Sequence, residues 1–422
     1  MVDDAIYYKG YWTYLRHMGV SSGTPTDKQV HNAERIYNVL RVFGYSPAAA
    51  CGILGNMMVE SGLSPGALQA GKTDILPNNG EHFVDLTNQV MLGFKILGET
   101  GYGTGLIQWD TYNNLVEPYG NLIASFGIRY DQQWFDGDLQ LFRLEAEYIR
   151  DPSGWGGING QTTQYWHQLN STTPTITWAN FKQYSGTPED AAELFRVNRE
   201  RGGSESIDTR KANARYWFNL LSAQAVEYKL PHKYMCDMAY LFRDSGYTYA
   251  QYDCVSFVNR LCRRRLGFTM WSDNGTNSLW RDVSHEHPFS WKGTMAECLE
   301  LYGEIPRGAY LFKIYPEGSP GYNTIPDQYR GDGVGNVDHI GIYTDLGKGV
   351  MQSGGYDEGV PGVAETSLHP SPPLAYDWWT HVALDDDLIF SDEYDPPASN
   401  VKAWLLSIVT QRRKPKNVVK WI

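Results

Sequence analysis

The chain has no apolar run long enough to cross a membrane, no excess of basic residues and no dense cysteine framework. Each absence removes a class of function. No stretch approaches the roughly 20 consecutive apolar residues of a spanning helix, so no membrane span is expected. A formal net charge of -12 over 422 residues lacks the basic footprint of a nucleic-acid binder. The same charge opposes approach to an anionic surface as the main source of affinity. The five cysteines, at 51, 236, 254, 262 and 298, are odd in number and scattered. They form neither CxxC pairs nor a disulfide scaffold, a pattern that fits free thiols in a reducing cytosol. The opening MVDDAIYYKGYW has two acids and neither a basic nor an apolar leader segment, so no signal peptide is expected. No metal or other cofactor is expected. His285 and His287 of HEHP lack a third ligand, GYGTG and GDGVG lack the Lys-Ser/Thr of a phosphate loop, and the acids at 385–387 read as solvated charge rather than calcium ligands.

What is present is an ordinary globular mixture, 42% hydrophobic and 20% charged, with 14 Trp and 29 Tyr available for stacking. The length allows two or three domains. Residues 1–27 read as an aromatic N-terminal segment. Residues 28–226 read as mainly helical: DKQVHNAERIYNVLRVFG, DLQLFRLEAEYIR, PEDAAELFRVNRERG and DTRKANARYWFNLLSAQAVEY carry helical spacing, with Gly-rich loops between. Residues 230–395 change character. A helix-like piece around 254–266 precedes the strand-like runs GAYLFKIY, DHIGIYTD and GVMQSG, an order that predicts a helix on an antiparallel sheet. Residues 396–422 read as a linker and basic tail with Lys402, Arg412, Arg413, Lys414, Lys416 and Lys420. The expected fold is therefore multidomain, mainly α first and α+β second.

Within SPAAACGILGNMMVESGLSPG, Ser46-Pro47 supplies a helix start and Gly62 a left-handed stop. Ile53, Met57 and Glu60 are spaced to share a face, so the carboxylate sits among apolar side chains at the negative end of the helix dipole. Both settings favour a carboxyl that keeps its proton, as a general acid requires. ESGLSP at 60–65 followed by GTGLIQWD at 103–110 resembles the lysozyme superfamily, closest to phage tail lysozymes and more distantly similar to goose-type lysozymes and lytic transglycosylases. The resemblance implies that Glu60 is the catalytic acid and that Gly105, Leu106, Gln108 and Trp109 line a glycan groove, with Tyr102 and Trp109 available to stack on sugar rings. Asp74, Glu81, Asp85 and Asp110 are candidates for a second carboxylate, and none has a motif that selects it. Hydrolysis and transglycosylation, which needs no second carboxylate, both stay open.

Cys254, in QYDCVSFVNRLCRRRLGF, opens an amphipathic helix that ends in three arginines, a placement expected to lower its pKa. A thiolate nucleophile needs a base held by a third polar group. His339 begins one strand-like run, and Gln352 lies on the next. A turn at TDLGKG would make the two meet across an antiparallel pair, with Gln352 orienting the imidazole. DC-x-x-F-V, RGAYLF and DHIGIY…GVMQSGG together resemble NlpC-type cell-wall cysteine peptidases, relatives of the papain fold. That resemblance implies Cys254 as nucleophile, His339 as base and Gln352 as third member where the family often has His. It leaves Tyr249 or Tyr252 as the substrate-side tyrosine. The related CHAP amidases share the Cys-His chemistry.

The two resemblances meet in one polymer, bacterial peptidoglycan, cut in its sugar strand and in an amide of its stem peptide. The expectation is a bifunctional hydrolase carried in a phage virion at the tail tip or knob, with other tail proteins as partners. A holin-released endolysin and a non-catalytic tail-knob protein that binds cell wall are the alternatives.

Overall fold

The computed structural model describes residues 5–8, 12–15, 25–67, 103–110, 135–149, 166, 175–200, 206–223, 229–243, 245–272, 275–283, 288–344, 349–354, 362–368 and 379–390. The basic tail expected at 396–422 lies outside them. A short antiparallel hairpin, β1 (Ala5–Tyr8) and β2 (Trp12–Leu15), opens the fold, and Trp12 is buried in the core with Arg35 over its ring. Helix α1 (Asp27–Val42) starts at a capping box, in which Thr26 and Gln29 satisfy each other's free amides. Such caps contribute about 1 kcal/mol.

Helix α2 (Pro47–Ser61) follows. The Ser46 side chain accepts from the Ala49 amide, Pro47 takes the first turn, and Gly62 closes the helix at φ 59°. Sequence spacing predicts a single apolar face. The structure instead buries α2 on nearly every side, as an all-round apolar helix requires. Small residues make this possible. After the two-residue strands β3 (Gly103–Thr104) and β4 (Trp109–Asp110) come helices α3 (Gly137–Ile149), α4 (Trp178–Lys182), α5 (Pro188–Phe195) and α6 (Ile207–Leu221). Helix α5 runs on as a π-helical turn, Arg196–Glu200. A β-carbon on Gly52 would lie 2.7 Å from Ala191 of α5, and one on Gly55 would lie 2.5 Å from the Arg210 carbonyl of α6. Glycine at these positions lets α5 and α6 close on α2.

The C-terminal region contains β5 (Leu230–Pro231), α7 (Lys233–Leu241) and α8 (Cys254–Ser256), which continues as a π-helical stretch, Phe257–Arg263. Then come α9 (Thr276–Trp280), β6 (Phe289–Thr294), α10 (Met295–Tyr302), β7 (Tyr310–Tyr315), β8 (Asn336–Tyr343), β9 (Gly349–Ser353), β10 (Val363–Ser367), β11 (His381–Asp385) and β12 (Leu388–Ile389). Six strands form an antiparallel sheet in the order β10-β9-β8-β7-β11-β6. On one face Ile340, Ile342 and Met351 meet Phe257, Val258 and Leu261 in the large core, and on the other Val350, Leu311 and Trp379 form a smaller cluster. The acids at 385–387, read from sequence as solvated, divide. Asp385 is fully buried against Arg263 and the Tyr310 hydroxyl, and Asp387 accepts from the same guanidinium at 2.6 Å. Arg263 lies 4.1 Å over Trp271, so it is a core ion rather than a surface complement to the helix dipole.

One continuous apolar core joins the helical region to the sheet region. Phe43 and Phe142 pack edge-on against Tyr234. Asp138 accepts from Arg35 at 2.9 Å, from Lys233 at 2.7 Å and from the Tyr234 hydroxyl at 3.2 Å. Gly267, at φ 84°, lies so close to the Val42 carbonyl that no side chain fits.

Candidate functional site

Glu60 stands in the last turn of α2, its side chain 24% exposed, in an ion pair with Arg210 of α6. The sequence expectation of a carboxyl isolated on an apolar face does not describe this setting. Arg210 is held from three sides. Its Nη1 donates to Asn56 Oδ1 at 2.8 Å and to Glu200 Oε2 at 2.5 Å, while Nη2 faces Glu60. Asn56 is fixed in turn, since its amide donates to the Gly52 and Ala192 carbonyls, both at 2.9 Å. Glu200 closes the π-helical turn after α5 with its side chain 7% exposed, and its Oε1 has no hydrogen-bond partner among the described residues. Burial pushes the Glu200 carboxyl up to about 8, against the pull of Arg210, and the nearby Glu60 charge adds to the rise. The buried, upward-shifted carboxyl at this site is Glu200, which the sequence reading did not single out. In RVNRERG it looks like one more surface charge, and only the convergence of α2, α6 and the π turn distinguishes it.

The segment 103–110 is sewn to the end of α2. Ser61 Oγ has its one proton within reach of both the Met57 and the Leu106 carbonyls, at 2.8 and 2.9 Å. Gln140 donates to the Pro65 carbonyl and accepts from the Leu106 amide, both at 2.8 Å. Gly105, at φ 75°, has its missing side chain's place filled by Gln140. Gln108 and Leu63 hold positive φ of 51° and 65°, an uncommon cost for non-glycine residues, one in each motif. Gln108 is half-buried, with its amide on the Gly105 carbonyl at 3.0 Å. Trp109 departs from the expected stacking role. It is 3% exposed, its indole N–H donates to Glu147 at 2.8 Å, and the same carboxylate takes Arg143 and Arg199. A ring locked in the core has no face for a sugar. Tyr102, Asp74, Glu81 and Asp85 lie outside the described residues, as do His285, His287 and the side chain of Asp110.

In the sheet region, Asp253 caps the helix by accepting from the Ser256 amide at 2.7 Å, which puts Cys254 in the first turn. The sequence expectation of a lowered thiol pKa fails here. Cys254 is 6% exposed. Burial pushes the thiol up to about 12, the Asp253 charge adds to the rise, and hydrogen bonds from the Ile340 and Val255 amides only oppose it. Contact with the Ile340 amide sets the sulfur against β8 one peptide beyond His339. Strand β8 carries a bulge there: Lys313 pairs with His339 and Ile314 with Val337, leaving Asp338 unpaired in the ladder. Bulges re-aim the neighbouring side chain. His339 Nε2 lies 2.5 Å from Gln352 Oε1, and Gln352 donates its amide N–H to Thr366 Oγ1 at 2.5 Å. An amide oxygen only accepts, so a neutral His339 carries its proton on Nε2 and leaves Nδ1 as the basic atom. Trp379 stacks against the imidazole at 5.7 Å. Tyr252 is half-buried, with its carbonyl accepting from Ser353 and its ring against Tyr247. All five cysteines are buried, and none is in a disulfide. Among the described residues no group of His, Cys, Asp and Glu could hold a metal ion, and no helix is long and apolar enough to cross a membrane.

The family comparison falls on the helical region. Residues 31–221 match the family model of phage tail lysozymes. Morphogenesis protein 1 of Bacillus phage B103 is similar to this chain, 27% identical over 196 residues that make up 46% of the chain and 40% of that protein. The chain thus matches less than half the length of this relative. The tail-lysozyme match contains most of α1, all of α2, the 103–110 segment and both carboxyls on Arg210. It ends at Leu221.

Proposed function

We propose that the protein is a virion-associated peptidoglycan hydrolase with two active sites, a glycosidase in residues 28–226 and a cysteine amidohydrolase of papain-like, NlpC-type architecture in residues 230–395. The observation that carries the reading is the tail-lysozyme match over residues 31–221, within which Glu60 lies beside a guanidinium and a second carboxyl.

In the glycosidase, Glu60 protonates the glycosidic oxygen as the bond breaks, and Gly105 and Gln108 present the backbone and amide edge of the groove. In the amidohydrolase, Cys254 attacks the amide carbonyl while His339 Nδ1 takes the thiol proton. The proton then passes to the leaving amine, and Gln352, braced by Thr366, keeps the imidazole in the tautomer this requires. A thiol pushed up to about 12 makes the thiolate a product of that transfer rather than a standing ion.

Mass spectrometry of the muropeptides released from purified cell walls tests the reading. New reducing or anhydro sugar ends together with newly cut stem-peptide amides are expected. Intact walls after incubation would leave a wall-binding structural role in its place. Mass spectrometry of purified virions tests carriage, and absence of the chain from them would favour release at lysis.

A further inference from the structure

Arg210 faces two carboxyls that reach it from different elements, Glu60 at the end of α2 and Glu200 on the π-helical turn after α5. Among the described residues, the charged neighbours of this pair are engaged elsewhere. Arg199, next to Glu200, is hydrogen-bonded to Glu147 of α3 and acts on Glu200 through its charge, which pulls the carboxyl down. Farther along α5 and α6, Lys211 pairs with Glu193 and Arg215 with Glu189. Among the described residues, Arg210 is the guanidinium that bonds both carboxyls at the centre. The second oxygen of Glu200 is buried with no hydrogen-bond partner among the described residues. A bare carboxylate oxygen in that position costs more than a protonated one, because burial penalises a charge more heavily than a neutral hydroxyl.

We propose that Glu200 is a positioning residue of the glycosidase site, coupled to Glu60 through Arg210 so that the two carboxyls hold one exchangeable proton between them. The proposal rests on the reading of Glu60 as the acid. With the proton on Glu200, Arg210 pairs with the Glu60 carboxylate. With the proton on Glu60, Arg210 pairs with the Glu200 carboxylate, and the net charge of the three groups is unchanged. Glu60 then gives that proton to the leaving glycosidic oxygen, and the unit takes one proton back from solvent. Interacting carboxyls of this kind titrate as a unit.

The test is the pH profile of glycan cleavage, read as reducing ends released from cell walls, for wild type, Glu200→Gln, Glu200→Asp and Glu60→Gln. The Glu200→Gln side chain carries no charge, so Arg210 is always available to the Glu60 carboxylate, and Glu60 then gives up its proton at lower pH. The alkaline limb is expected to move down by about one pH unit or more, with Glu200→Asp returning it towards wild type. A Glu200→Gln limb that stays in place, with only thermal stability or amplitude reduced, overturns the coupling. Glycan cleavage retained by Glu60→Gln overturns the reading of Glu60 itself, whatever Glu200→Gln does. Should Glu200→Gln not fold, carboxyl carbon NMR of the wild-type chain decides. One glutamate titrating above about pH 6, with a second carboxyl responding at the same midpoint, supports the coupling. No glutamate titrating above about pH 5 refutes it.

Discussion

Replacing Gly55 by alanine tests whether α2 packing sets the geometry of the Glu60–Arg210 pair. The new β-carbon would stand 2.5 Å from the Arg210 carbonyl and 2.8 Å from the Ala214 β-carbon, against ordinary contact at 3.4–4 Å. The first gap is therefore short by about 0.9 Å, and α6 has to retreat by nearly that much. Alanine favours an interior helical position over glycine by about 1 kcal/mol, and overpacking costs about 1–3 kcal/mol. The net effect is a loss of about 0–2 kcal/mol, or a fall in melting temperature of a few degrees. Catalysis should suffer far more. The displaced residue carries the guanidinium on Glu60, and a misplacement of about 1 Å can cost roughly a hundredfold. Gly55→Ala should therefore stay folded by circular dichroism, lose about two orders of magnitude in reducing-end release, and keep its amide cleavage. Full glycan cleavage in a folded Gly55→Ala protein would refute the link between this crossing and the site.

Three further outcomes follow from the geometry. Burial alone would raise the Asp138 carboxyl, but Arg35 and Lys233 hold it down to about 2, below its unfolded value of about 3.9. Its contribution is complete above about pH 4 and is lost as pH falls through about 2. Asp138→Asn should cost about 3–5 kcal/mol at about pH 7 by removing the buried carboxylate that Arg35 and Lys233 share. The melting-temperature gap to wild type should narrow towards about pH 2, and an equal gap at both pH values would contradict this. Alkylation of Cys254 by iodoacetamide, assigned by its loss in Cys254→Ala, should keep accelerating to about pH 10 or beyond, and a plateau below about pH 7 would mean a standing thiolate. Gln352→Leu removes the acceptor that fixes the His339 tautomer, so amide cleavage should fall by about 10²–10⁴-fold while glycan cleavage is unchanged. Parallel loss of both would point to misfolding.

The local features of this chain were readable in its sequence wherever one segment decides them. Ser46-Pro47 and Gly62 bound α2 because caps are set by residues adjacent in the chain. The runs around His339 and Gln352 read as strands, and β8 and β9 pair antiparallel. What could not be read is what distant segments bring together. Glu200 and Glu60 meet through Arg210 across 10 and 150 residues respectively. Arg263 finds Asp385 across 122, which turns an apparent surface acid into a buried one. Trp109 looks like a groove aromatic beside Gln108, yet Glu147 of α3 draws it inward. For Cys254 the sequence showed the helix end that lowers a thiol pKa but not the burial that raises it, and burial is the larger effect.

The most direct test of the two-site account is muropeptide mass spectrometry on Glu60→Gln and Cys254→Ala side by side. Glu60→Gln should release walls with cut stem peptides and intact glycan strands, and Cys254→Ala cut glycan strands with intact stem peptides. If either folded variant yields the full wild-type product set, the residue it replaces does not carry the chemistry assigned to it.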